Sequence, residues 1–244
     1  MNEKFYQEQW YPEVHYQGMK ALYHLHNGQY EQAFDDYQNF WNRKDGIVPL
    51  AQNMILRLNG KIPPLGGNSV FNQDTVRDVL QNKQYIPRNP EDREEKVRKS
   101  LQSGKIIVDA WALYILAYQG KLEDLKSFSE VYVTYNTHSW LMQELLVAEN
   151  GEIRRILHAL HHWDNIRLRC PGMAAQVHFR QNLRGGWIEE HANVCMANEL
   201  HIPLVIGRYL PDVDMGGCWR YLVGVGEMEE RDGGECRKGV VKKK

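Results

Sequence analysis

Asp109 interrupts KIIVDAWALYILAYQG (105–120), the most apolar stretch of the chain. An unpaired carboxylate in such a place carries a large desolvation cost. Two kinds of chemistry justify it. The acid can cap a helix, its oxygen accepting the amide of Trp111 or Ala112. It can also serve a ligand site, because parallel sheets present their groups to ligands at the carboxyl ends of the strands. Two other segments hold reactive or binding side chains. FRQNLRGGW (179–187) sets Arg180 and Arg184 ahead of a flexible Gly-Gly and Trp187, a set suited to phosphate contact and base stacking or to an ordinary polar turn. HALHHW (158–163) gathers three histidines, with His158 and His162 one helical turn apart. No HExxH accompanies them, and metal ligation would need a third convergent ligand.

The elements that must position these residues follow from periodicity. IIVD (106–109) reads as a buried strand and Ala110–Phe128 as a helix with apolar spacing. EVYVTY (130–135) is a second strand, followed by helices over His138–Ala148 and Gly151–Trp163. IRLRC (166–170) is strand or loop, Ile188–Leu200 a helix, and IPLVIG (202–207) a third apolar strand. Strands alternating with helices predict a three-layer α/β/α domain with a mostly parallel central sheet, here over 105–226. In it, Asp109 is the last residue of its strand.

Ahead of that domain, an all-α segment is expected over 1–60. Residues 14–42 form two short helices broken at HNGQY, where Asn27 and Gly28 fit a tight turn. KIPPLGGNSVFNQ (61–73) reads as loop and DTVRDVLQN (74–82) as a short helix. NPEDREEKVRKSLQSGK (89–105) has a capping Asn89, Pro90 at the first helical position, and acids before bases, so it reads as a charged connector helix. Residues 61–104 are thus linker and connector. The glycine-rich, charged stretch 227–244 has no core material and is expected to be disordered.

The bulk numbers set limits. The 244 residues carry a net charge of −1, so no global basic field draws the chain to nucleic acid or membrane, and any such site is local. The four cysteines form no CxxC pair, which indicates neither a zinc site nor a redox motif. The amino terminus lacks the apolar core of a signal peptide, and the apolar run at 105–120 is too short and too acidic to span a bilayer. A soluble, cytoplasmic protein is the expectation.

Two resemblances extend the reading. GQYEQAFDDY (28–37) resembles the turn and second helix of a tetratricopeptide repeat, with Gly28 as turn glycine, Tyr30 and Tyr37 as packing aromatics, and Ala33 at the helix crossing. It implies a helical hairpin able to dock a protein partner. KIIVDAWALYILAYQGKLEDLKSFSEVYVTYNTHSWLMQELL (105–146) and WIEEHANVCMANELHIPLVIG (187–207) together resemble a PIN nuclease domain. That resemblance implies a metal-dependent endonuclease, expected to act on RNA, single-stranded RNA included. Mg²⁺ or Mn²⁺ would be held by carboxylates. Carried over, Asp109 is the central metal ligand, Glu144 the second acid, Glu189 or Glu190 the third, and Asp212 or Asp214 the fourth. Arg180, Arg184 and Trp187 would contact the substrate.

Two further readings stand beside the nuclease. A PIN-like scaffold without activity would act as an interaction module. RILHALH (155–161) also fits R-x5-H, which resembles the signature of metal-free HEPN ribonucleases, with Arg155 and His161 as the acting pair.

Overall fold

The computed structural model describes residues 20–21, 23–25, 27–41, 48–81, 101–172, 188–208 and 222–225. The connector helix expected over 89–105 lies outside them apart from its end at 101–105, and so does the charged stretch 227–244.

Three apolar residues in a row make β1 (Lys105–Val108) a strand that must be covered on both faces. It is. β1 pairs in parallel with β2 (Glu130–Thr134) on one side and β4 (Leu204–Ile206) on the other. β3 (Ile166–Arg169) extends the sheet beyond β2, and β5 (Leu222–Gly224) extends it beyond β4. The order is β3-β2-β1-β4-β5, with every pairing parallel. The protein therefore contains an α/β domain, as its alternating periods predict. IRLR (166–169) is a strand that stops short of Cys170, and the short β5 is an element the pattern did not single out.

The pleat divides the core. Ile106 and Val108 point into one apolar cluster with Trp111, Leu113, Ile115, Leu141, Leu145, Ile153 and Ile156. These come from α4 (Ala110–Tyr118), α5 (Tyr135–Val147) and α6 (Gly151–His162). Ile107 points the other way, into a cluster with Val194, Met196 and Ala197 of α7 (Ile188–Leu200) and with Leu204 and Ile206. The helix expected to run from Ala110 to Phe128 stops at Tyr118. Gly120 has φ +72°, a left-handed conformation that ends a helix, and a 3-10 segment follows at Leu122–Ser127.

Ahead of the sheet lie α1 (Tyr30–Trp41), α2 (Val48–Leu58) and α3 (Gln73–Gln81). The turn before α1 is built as its residues suggest. Gly28 has φ +70°, and its amide donates to the Leu25 carbonyl at 3.1 Å. A Cβ at Gly28 would collide with the ring of His161, so the turn sits directly on α6. Tyr30 meets the same ring edge-on, and His161 Nε2 lies 2.7 Å from Nε2 of the buried His138 on α5. α2 tolerates Pro49 because a proline in the first turn removes an amide that has no helical partner anyway.

The loop at 61–72 is strapped across α5. The amides of Leu65 and Gly66 donate to the carbonyls of Leu146 and Val147 at 2.9 and 3.1 Å. Phe71, 1% exposed, sits among Trp111, Tyr114 and Trp140 with ring centroids 4.6, 5.1 and 5.0 Å away. Asn150 holds the Phe71 carbonyl at 2.9 Å. Among the described residues, no helix is long and apolar enough to cross a membrane.

Phe71 is the anchor of this strap. Phe71→Ala should cost about 3–5 kcal/mol in urea unfolding, the range for emptying a buried aromatic site. A loss below about 1 kcal/mol would mean that the strap does not hold the helical segment to the sheet.

Candidate active site

Asp109 follows β1 directly and is 4% exposed. Its extended backbone (φ −81°, ψ 170°) makes it the N-cap of α4, and Oδ1 accepts the Ala112 amide at 2.6 Å. The same carboxylate accepts the Gly207 amide, at 3.1 Å to Oδ1 and 3.3 Å to Oδ2. Strand pairing makes the second contact possible. Asp109 donates its own amide to the Val205 carbonyl at 3.1 Å, which draws the end of β4 alongside. Gly207 then passes so close to α4 that a Cβ would strike the backbone of Trp111 and Ala112.

Glu189 reaches the same point from the first turn of α7 and is 6% exposed. Its Oε1 accepts the Ala110 amide at 3.1 Å, the Thr137 hydroxyl at 2.5 Å and the Asn193 side-chain amide at 2.6 Å. Thr134, the last residue of β2, caps α5 by accepting the Thr137 amide at 3.1 Å and donates to Asn193 Oδ1 at 2.9 Å. Thr134, Thr137 and Asn193 are all buried. Two carboxylates therefore divide the free amides at the start of α4, Asp109 taking Ala112 and Glu189 taking Ala110. A helix N-terminus favours negative charge, which suits both.

The electrostatics remain costly. Burial pushes the Asp109 carboxyl well above its usual range, and the charge of Glu189 pushes it further. The amides of Ala112 and Gly207 pull it back, and Glu190 adds another upward push. Glu189 is also raised by burial, against the pull of Thr137, Ala110 and Asn193. Two such groups titrate as a pair and hold a proton longer than free carboxyls do.

The other expected site residues are distributed differently. Glu190 is buried beside Glu189, at 7% exposure, and its charge is felt at Asp109. Glu144 does not join this group. It stands ten residues beyond Thr134 in sequence, about 15 Å along the helix. There it fastens the strap, accepting from Ser69 Oγ at 2.8 Å, the Val70 amide at 3.0 Å and Trp140 Nε1 at 3.1 Å. Asp212, Asp214, Arg180, Arg184 and Trp187 lie outside the described residues. The residues that sequence reasoning missed are Thr134, Thr137, Asn193 and Gly207. Asn193 had one available signal, its place one helical turn after Glu189.

The histidine-based alternative loses its geometry. Arg155 and His161 are six positions apart on α6, about 240° around the helix, so they face different neighbours. Arg155 is directed toward the Ala117 carbonyl on α4, and His161 toward His138 and Tyr30. His158 and His162 stack with ring centroids 4.3 Å apart, and His162 Nδ1 lies 2.8 Å from the His158 carbonyl.

Carboxylate oxygens are the donors that Mg²⁺ and Mn²⁺ take, so Asp109, Glu189 and Glu190 fit such an ion in donor type. Among the described residues, however, no group of three or more His, Cys, Asp or Glu side chains is arranged to hold a metal ion. No family model, curated protein or solved structure matches the chain.

The buried carboxyls make stability pH-dependent. Their folded pKa values lie above the ordinary 3.8 and 4.5, so the folded chain keeps protons that the unfolded chain has released. This contribution is full below the ordinary values and is lost as pH rises through the folded ones. Asp109→Asn keeps the capping acceptor and removes one charge. In urea unfolding it should gain on the parent by about 1 kcal/mol or more on going from about pH 4 to about pH 8. An equal effect at both ends would show that the Asp109 carboxyl is not raised in the folded chain.

Proposed function

We propose that the chain is a divalent-cation-dependent phosphodiester hydrolase acting on RNA, with Asp109 and Glu189 at its centre and Glu190 as the adjoining acid. One observation carries this reading. Two like-charged groups are buried together at the carboxyl edge of a parallel sheet, where ligands bind. A fold gains no stability from that repulsion, and strongly perturbed acids in such places mark functional sites.

The chain's own residues have definite tasks. The Ala112 and Gly207 amides orient Asp109, and Thr137, Asn193 and the Ala110 amide orient Glu189. Held this way, the carboxylates keep their direction without spending rotamer freedom on binding. With its pKa raised, the pair holds a proton nearer neutral pH than free carboxyls do, and a cation bound there would displace it. A bound Mg²⁺ or Mn²⁺ would supply electrostatic stabilisation of the phosphoryl oxygens and a more acidic water. RNA is proposed as substrate because Arg180, Arg184 and Trp187 precede Glu189 closely in sequence. The reading includes a cytoplasmic location and recruitment of a protein partner through the helical hairpin.

A second reading is a scaffold that shares the architecture without activity. It is favoured by the tie of Glu144 to the strap and by the three donors already seated on Glu189 Oε1.

Cleavage of a labelled single-stranded RNA in Mn²⁺ or Mg²⁺ separates the two. The hydrolase should lose its cleavage in EDTA, and Asp109→Asn and Glu189→Gln should each lower the rate by about 100-fold or more while remaining folded by circular dichroism. Cleavage undiminished in Asp109→Asn, or absent from the parent, would remove the hydrolase reading and leave the scaffold.

A further inference from the structure

Arg208 follows the glycine whose amide rests on Asp109, and its side chain is not accounted for by the carboxylate site. The residue is exposed. Its guanidinium stands over the ring of Trp111, 5.8 Å from the centroid, near the outer limit for a cation–π contact. Trp111 is itself fixed, 4% exposed, and packed against Phe71 and Trp140. Arg208 therefore leans on a rigid aromatic surface in the first turn of α4, next to the helix start shared by Asp109 and Glu189.

Arg208 is not among the groups that pull the Asp109 carboxyl down. An arginine paired with a buried carboxylate draws its pKa down. Asp109 is instead pushed up, and the groups that pull it down are the neutral amides of Ala112 and Gly207. A guanidinium held over an indole still carries its planar edge of N–H donors, and Arg208 is exposed. That planar edge matches two phosphate oxygens at once, which a lysine ammonium cannot do.

We propose that Arg208 is the phosphate-binding residue of this site, holding the backbone of a single-stranded RNA at the rim of the carboxylate pair. This rests on the hydrolase reading for its substrate class, but the contact itself is a binding property that can be measured without cleavage. Its position gives it a second consequence. Because Gly207 ties Asp109 to the same short segment, the bound phosphate and the acid keep a fixed relation.

The test uses the full chain and a fluorescein-labelled oligouridine in EDTA, followed by anisotropy across a salt series. Arg208→Ala should weaken binding about 5-fold or more at low salt and reduce the slope of log K against log salt by about 0.7, the loss of one phosphate contact on a single strand. Arg208→Lys should keep the slope and recover only part of the affinity. Asp109→Asn should bind at least as tightly as the parent. Affinity and slope unchanged in Arg208→Ala would overturn the assignment, as would a parent chain with no salt-dependent binding. The two readings fail separately. A parent that binds through Arg208 and does not cleave in Mn²⁺ loses the hydrolase reading and keeps the phosphate contact. A parent that cleaves, with KM and kcat both unmoved in Arg208→Ala, keeps the hydrolase and loses the contact.

Discussion

The free amides at the start of α4 hold two buried carboxylates, and much of the domain is arranged around that fact. Asp109 caps the helix from within and Glu189 supplements it from α7. For both to arrive, β1 must end where α4 begins, β4 must run beside β1, and α7 must place its first turn over the junction. A helix N-terminus offsets negative charge only locally and in part, so the pair stays strained by burial and by mutual repulsion. Capping and chemistry are not rival explanations of Asp109. In the proposed hydrolase the cap would also supply the orientation that a reacting carboxylate needs.

Around the pair, neutral hydrogen-bonding groups do the positioning. Thr134 ends β2 and caps α5, which brings Thr137 to Glu189 and Asn193 to both threonines. No cation among these contacts neutralises either acid. Replacing one polar member would leave another buried and unsatisfied, so the network resists piecemeal change. Glu144 shows the contrast. Its charge is used up by three donors on the strap and the adjacent helix turn, where it joins the helical segment to the sheet.

The sequence revealed the layered architecture because buried parallel strands are short, apolar and β-branched, and IIV, VYV and PLVI are all of that kind. Asp109 was legible for the same reason, as a charge at the end of such a run. Glu189 and Glu190 were legible as first-turn acids of a clear helix. Glu144 was misplaced because spacing along a chain does not say which end of a helix meets a site, and 15 Å separates the two ends of about ten residues. Thr134, Thr137 and Asn193 escaped because neutral polar residues are common and have no periodic signature. β5 escaped because three residues carry too little pattern, and their pairing with β4 is decided only in three dimensions.

Calorimetric titration of Mn²⁺ into the parent chain, in two buffers of different ionisation enthalpy, tests most directly whether the buried pair exists to hold a cation. Metal binding at raised carboxyls must expel protons. Saturable binding is therefore expected, with an enthalpy that changes with the buffer, and both binding and proton release should disappear in Asp109→Asn and Glu189→Gln. Absence of saturable binding in the parent, or binding that persists unchanged in both variants, would contradict a cation site at Asp109 and Glu189.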